Sequence, residues 1–273
     1  METMHNPKYP VQTLEKSLEI LGLLSRCSEN NKNGMTIGEL SLKLGIGKST
    51  VHRILDTLMK YRYVEKMGER GTYRLGWGLY AIGCAAKAQH SVMSLDFFEL
   101  DEICEKHRES VSVGIISKNA VVIVYKCVPD APLIVNRYIG EQEPVYATAL
   151  GKVLVSEYKG QKLKALMDSI DFRPYTTHTI ASAKDFSTHL EQVREQHFAL
   201  DEEEFALGLT CVACPVRDDT GEIVAAISVS GPTVRLNYKK IVSVREDLQS
   251  VCSRLTKQLK STEQVEDEKP IDP

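Results

Sequence analysis

Two short helical patterns meet at a tight turn in residues 36–60, TIGELSLKLGIGKSTVHRILDTLMK. This junction constrains the fold more than any other part of the chain. In the first pattern Thr36 stands three residues before Glu39, the spacing of a capping box, and Ile37, Leu40 and Leu44 make a short apolar face. Gly45 closes that helix. After Gly47 the period restarts with Val51, Ile54, Leu55 and Leu58 inward. Two helices joined by a turn containing Gly form a helix-turn-helix. The next segment, YRYVEKM-GERG-TYRLGW, has the pattern of two short strands around a Gly-bounded turn. Helices followed by a hairpin predict a winged helix-turn-helix.

Gly47-Lys48-Ser49 also match the last letters of a phosphate-binding P-loop. That motif needs another Gly before its final Gly, with four residues between them, and a strand ahead of it. Leu42 occupies the Gly position and the preceding segment is a helix, so nucleotide binding is excluded. The same letters suit a recognition helix. Lys48, Ser49, Thr50, His52 and Arg53 lie at its polar start, where hydroxyls and cations reach phosphates and base edges of a major groove. Thr36 at the first helix, Arg70 at the wing tip and Arg74 on the return strand complete the candidate DNA-binding set. A solvated polar face is the competing account for such residues. Charge shifts the balance: residues 1–78 carry a formal +4 and the rest −7, within a net charge of −3.

Upstream, VQTLEKSLEILGLLSR is an amphipathic helix, with Val11, Leu14, Leu18, Leu21 and Leu24 as the expected core stripe. Downstream, GWGLYAIGCAAKAQH predicts a connecting helix whose stripe of Leu79, Ile82 and Ala86 could pack within the chain or on a second subunit. The expected domains are 8–78 for the winged helix-turn-helix, 79–94 for the linker helix, 95–260 for a second domain and 261–273 for a disordered acidic tail.

From residue 95 the pattern mixes helices and strands. A helix over LDFFELDEICEKHRE precedes a hairpin, SVSVGIISKNAVVIVYKCV, turning at Lys118-Asn119. APLIVNRYIG is expected as a third strand. TALGKVLVSEY, GQKLKALMDSI and AKDFSTHLEQVREQHF are expected helices. LTCVACPVRDDTGEIVAAISVSGP is a second hairpin turning at Asp219-Thr220-Gly221, and a final helix runs from Val234 to Leu259. Antiparallel strands with helices on a face and at the ends give an α+β class.

The ordered set TIGELSLKLGIGKSTVHRIL, ATALGKVLV, ALDEEEFALGLTCVACPV and GEIVAAISVSGPTVR resembles the IclR family of bacterial transcription regulators, from about Tyr9 to Leu259. The resemblance implies a winged helix-turn-helix joined by a helix to a GAF-like effector domain, with double-stranded operator DNA and a second copy of the chain (dimer or tetramer) as partners. It implies no enzyme and no cofactor. Two positions depart from the family pattern. His197 replaces a usual Gly or Ala, and Arg217 replaces an aromatic or His; both bear on which ligand the domain takes.

In VAAISVS, strand alternation puts Ala226, Ser228 and Ser230 on one side, and GLTCVACP puts Leu209, Cys211 and Ala213 on one face. Paired hydroxyls on a sheet face need partners. From the residues alone, bonds to neighbouring backbone in a filled core are the simpler account. Thr148 is a plausible N-cap, with outward N–H groups near Ala149 and Leu150. The resemblance implies an effector site at Val135, Ala149, Leu150, Asp201, Leu209, Cys211, Ser228 and Ser230, taking a small organic, keto, sugar or aromatic acid. The implied regulator is a repressor of a catabolic operon.

Other chemistry has weaker support. Cys211 and Cys214 form C-x-x-C, but a second pair for zinc is missing, and residues i and i+3 of a strand point to opposite faces. A redox or metal sensor on the same scaffold is therefore the alternative reading. No metal site is expected. DEEE at 201–204 is expected as a solvated acidic turn, and no G-x-S-x-G marks a hydrolase. Seven scattered cysteines, no apolar leader and no run of about 18 apolar residues suit a cytoplasmic protein without membrane spans.

Overall fold

Thr36 and Glu39 exchange the two hydrogen bonds of a capping box. The Thr36 hydroxyl accepts from the Glu39 N–H at 3.3 Å, and the Glu39 carboxylate accepts from the Thr36 N–H at 2.8 Å. This starts α2 (Ile37–Leu44), which ends at Gly45 with φ +64°. Gly47 then opens α3 (Lys48–Lys60), whose Val51, Ile54, Leu55 and Leu58 are buried. The helix-turn-helix thus forms from the residues that predict it. The computed structural model describes residues 9–27, 33–68 and 71–267, and from Ser261 onward only the backbone. It divides into two compact units between Met93 and Ser94.

The first unit begins with α1 (Gln12–Ser25). Its buried face differs from the expected stripe. Ile20, Leu24 and the following Cys27 point inward, whereas Val11, Leu14 and Leu18 are 65%, 57% and 59% exposed. The helix carries two adjacent apolar stripes, and periodicity does not say which one meets the core. The wing is β2 (Val64–Met67) paired with β3 (Thr72–Leu75). A short strand unforeseen in the sequence, β1 (Met35–Thr36), adds to the other edge of β3. The helix α4 (Trp77–Ala88) begins tightly against the turn after α3. Gly78 donates its N–H to the Arg62 carbonyl at 2.9 Å, and a Cβ there would lie 2.6 Å from the Tyr61 carbonyl oxygen. No residue of α4 is buried.

The second unit is a six-stranded antiparallel sheet in the order β6-β5-β4-β9-β8-β7. The strands are β4 (Ser110–Ser117), β5 (Ala120–Cys127), β6 (Gln142–Pro144), β7 (Ala199–Glu202), β8 (Leu209–Arg217) and β9 (Ile223–Pro232). Both expected hairpins form, with Lys118 at φ +56° and Gly221 at φ +88° in their turns. The expected third strand does not: residues 131–140 form no regular element, and the pairing to β5 comes from β6 instead. Arg137 and Asn136 interrupt the apolar run there, and Gly140 turns the chain at φ +87°.

One sheet face carries α5 (Phe98–His107) and α9 (Tyr238–Asp267). The other carries α6 (Ala149–Val155), backed by α8 (Ala183–Gln196), with α7 (Gly160–Ser169) between them in the chain. Leu150, Val153, Cys211, Ala213 and Ala226 share this second core. The last helix starts four residues later than expected and runs to Asp267, into the segment expected to be a disordered tail.

Candidate functional site

The polar start of α3 projects Lys48, Ser49, Thr50, His52 and Arg53, all exposed. Together with Thr36, Gly38 and Gly71 of the wing turn, Lys48, Ser49 and His52 line one open hollow. The helix has no side-chain cap and no acidic residue in its first turn. Its uncompensated N–H groups and positive dipole end therefore favour an anion such as a DNA phosphate. Not every expected cation is free to serve. His52 pairs with Asp56 at 2.9 Å, and Arg74 pairs with Glu65, directly opposite it across the wing, at 3.0 Å. Lys48 and Arg53 make no ion pair among the described residues. Arg70 lies outside the described residues.

In the second unit, the register brings the expected site residues together. Ser228 sits opposite Ala213 on β8 and Ser112 on β4; Ser230 sits opposite Cys211 and Ser110; Cys211 sits opposite Asp201 on β7. These side chains line the face covered by α6, which supplies Ala149 and Leu150. Leu209 begins β8, and Val135 packs at the margin of the same core, half-buried. The Thr148 hydroxyl does cap α6, accepting from the Gly151 N–H at 3.2 Å.

This face is polar yet buried. Ser110, Ser228, Ser230 and Asp201 are each at most 3% exposed. The hydroxyls of Ser110, Ser228 and Ser230 meet no nitrogen or oxygen partner among the described residues, nor does Asp201 Oδ2. The Cys211 thiol, a weak donor, lies beside Ser230. Burial pushes the Asp201 carboxyl up to about 6, against the pull of Lys152 and of the Glu204 and Phe205 N–H groups.

Four charged residues of this region escaped the sequence reading. Lys152 is ion-paired with Glu204, and Arg137 with Glu143, and all four are buried. The Arg137 guanidinium also lies 5.6 Å from the Phe205 ring centre and beside the Cys211 thiol. The stretch 201–204 is accordingly not the expected solvated turn: Asp201 and Glu204 point inward. Charged residues default to the surface in a sequence reading, and only the alternation of β7 with a following tight turn could have signalled otherwise.

Cys211 and Cys214 face opposite sides of β8. Cys211 belongs to the α6-covered face, while the carbonyl of Cys214 accepts from the Cys252 thiol of α9 at 3.7 Å. Burial pushes both thiols up to about 12, which leaves them protonated and poor as nucleophiles or ligands. Among the described residues no group of His, Cys, Asp and Glu is placed to hold a metal ion. His197 and Arg217 border a small crevice with Val193 and Pro215. His197 is the left-handed C-cap of α8 at φ +60°, a conformation that favours Gly; Arg217 pairs with Glu157. Neither belongs to the serine-lined face. No helix among the described residues is long and apolar enough to cross a membrane.

Comparison with known proteins agrees along the chain. Residues 13–68 match the IclR helix-turn-helix domain, and residues 85–257 match the family described as bacterial transcriptional regulator IclR C-terminal. The HTH-type transcriptional regulator XynR of Escherichia coli K12 is 32% identical over 249 residues, covering 91% of this chain and 97% of the relative. The transcriptional repressor AllR of the same strain is 28% identical over 235 residues, covering 86% and 85%. The crystal structure of Thermotoga maritima IclR superposes with a TM-score of 0.76 at 22% identity, covering 92% of this chain and 99% of that one. An IclR homologue from Microbacterium hydrocarbonoxydans complexed with 4-hydroxybenzoate gives 0.77 at 16% identity, covering 90% and 98%. Both halves match in order, and a relative above 30% identity aligns along nearly its whole length, so the chain belongs to the IclR family of bacterial transcriptional regulators, DNA-binding proteins rather than enzymes.

Proposed function

We propose that this regulator is a repressor of a catabolic operon, acting in the cytoplasm, and that a small organic acid bound in its second unit changes its hold on operator DNA. The observation that carries the reading is the row of buried, unpartnered oxygens on the α6-covered face: Ser110, Ser228, Ser230 and Asp201. Each such group left unbonded costs about 1–3 kcal/mol, which a polar ligand would recover. Two of the similar proteins support the same reading, the repressor AllR and the homologue complexed with 4-hydroxybenzoate. The ligand can gate DNA binding only by the difference in its affinity for two arrangements of the protein.

On the DNA side, Lys48, Ser49, Thr50 and Arg53 are the proposed contacts, with His52, Thr36 and Arg74 at the margins of the same surface. Self-association fits the unburied apolar side chains of the first unit, Leu14 and Leu18 on α1 and Trp77, Tyr80 and Ile82 on α4. Two copies would set two recognition helices on neighbouring turns of the duplex.

The test begins with a duplex selected by the full chain from a random pool. Arg53→Ala should weaken binding to it by about 1–3 kcal/mol if Arg53 reads a base, or lower the salt slope by about one if it holds a phosphate. A panel of small acids is then added to the complex. Unchanged affinity and slope would remove Arg53 from the interface, and a complex indifferent to every small molecule would sink the ligand-gated reading.

A further inference from the structure

Two of the seven scattered cysteines meet in the second unit. Cys104 lies on α5 and Cys127 ends β5, and both are free thiols. The helix follows the strand contact by contact. The Phe97 ring, just ahead of α5, stands 4.9 Å from the Tyr125 ring. Asp101, one turn on, accepts a hydrogen bond from the Tyr125 hydroxyl. Cys104, a further turn on, meets Cys127, two residues beyond Tyr125; the two thiols lie within hydrogen-bonding reach of each other. Residues three or four apart share a helix face and residues two apart share a strand face, so each of these contacts sets up the next. The sheet register agrees. Cys127 stands opposite Val111 on β4, and the Cys104 thiol also reaches the Val111 backbone.

We propose that Cys104 and Cys127 close to a reversible disulfide when the protein meets a hydroperoxide, and that the bond fastens α5 to the strand it lies on. Access singles out this pair. Cys252 also reaches Cys214, at its carbonyl, but both are buried away from any reagent, whereas Cys127 is only half-buried. The Cys127 sulfur attacks one peroxide oxygen and the O–O bond breaks. Cys127 becomes a sulfenic acid, and the other oxygen leaves as water or an alcohol with the thiol proton. The Cys104 sulfur then attacks the Cys127 sulfur, the S–O bond breaks, and the oxygen leaves as water with the Cys104 proton. Two thiols are oxidised and one peroxide is reduced by the same two electrons. The surroundings make this slow. Burial, Cys104 and Asp101 push the Cys127 thiol up, and burial pushes Cys104 up. The thiolate is the nucleophile, so the pair stays reduced against traces of oxidant and closes under sustained exposure. Once closed, the bond limits the unfolded chain and steadies the second unit.

The experiment uses the reduced full chain carrying Cys84→Ser, so that the exposed thiol of α4 cannot link two molecules. Hydrogen peroxide is added, remaining thiols are capped with N-ethylmaleimide, and the peptides are read by mass spectrometry. The main cross-link should join Cys104 to Cys127, form over minutes to hours and be undone by dithiothreitol. The oxidised chain should melt roughly 5–10 °C higher and return on reduction. Cys127→Ser should abolish both the cross-link and the shift. Cys104→Ala should do the same and leave Cys127 as a sulfenic acid that dimedone labels, which keeps the test open if one variant folds poorly. Asp101→Asn should speed closure several-fold with the same product, because one group that holds the thiol protonated is gone. Capping of both Cys104 and Cys127 after oxidation, a main cross-link through other cysteines, or an oxidised chain that melts no higher than the reduced one overturns the proposal. Closure no faster in Asp101→Asn overturns the part given to Asp101.

Discussion

One oxygen of the Asp201 carboxylate accepts from the Glu204 N–H at 2.8 Å, while its other oxygen meets no partner among the described residues. Burial raises the group to about 6. A carboxyl whose folded pKa lies above its unfolded value binds its proton more tightly when folded. Its contribution to stability is complete below about pH 4 and is lost as pH rises through about 6. Asp201→Asn should therefore gain on the parent across that window, by about 1–3 kcal/mol, and keep the gain above it. Urea titrations from pH 4 to 8 read this directly. A difference that does not change with pH would show that Asp201 titrates normally.

Lys152, on α6, is 2% exposed and ion-paired with Glu204. Lys152→Met should destabilise the second unit by about 3–5 kcal/mol, because Glu204 is left buried and unpaired. Lys152→Met combined with Glu204→Leu should recover much of the loss. If the double variant is as unstable as the single, the cost comes from packing and not from the stranded charge.

On the wing, Glu65 holds Arg74 from the opposite strand. The pair is largely exposed and contributes little to stability. Its effect on DNA should be larger. Glu65→Gln should tighten binding to any duplex and steepen the salt dependence by up to about one unit. An unchanged slope would mean that Arg74 does not reach a phosphate.

His197 caps α8 in the left-handed region at φ +60°. His197→Gly should raise stability by about 0.5–1 kcal/mol, since Gly adopts that conformation without strain. Acid binding should stay as it is, because the residue lies outside the serine-lined face. A change in ligand affinity would put His197 back among the determinants of the ligand.

What the sequence disclosed and what it hid follow a physical line. The helix-turn-helix was legible because Thr36, Glu39, Gly45 and Gly47 act through local chemistry and Val51, Ile54, Leu55 and Leu58 fall on one face. The serine-lined face was legible because strand alternation fixes sides, so that Ser228, Ser230 and Cys211 needed only the hairpin register to meet. The phase of α1 was not, because Leu14 and Leu18 repeat as regularly as Ile20 and Leu24 do. The strand expected at 131–140 failed because an apolar run does not reveal whether a neighbour is there to pair with it. The buried charges were hidden for a related reason. Lys152, Glu204, Arg137 and Glu143 are far apart in the chain or separated by a turn, and only tertiary closure shows that each has a partner.

The central pair of the sheet, β4 and β9, comes from opposite ends of the second unit. During synthesis Ser110 waits for Ser230, with nearly the whole unit still to be made, before the serine-lined face can exist. The first unit closes much sooner, since its last-made strand, β3, on which α1 and β1 pack, is complete at Leu75. A growing chain would thus own a DNA-reading head before it owns a sensor. If the ligand gates DNA binding as proposed, every molecule would pass through a brief stage in which no small acid could control it.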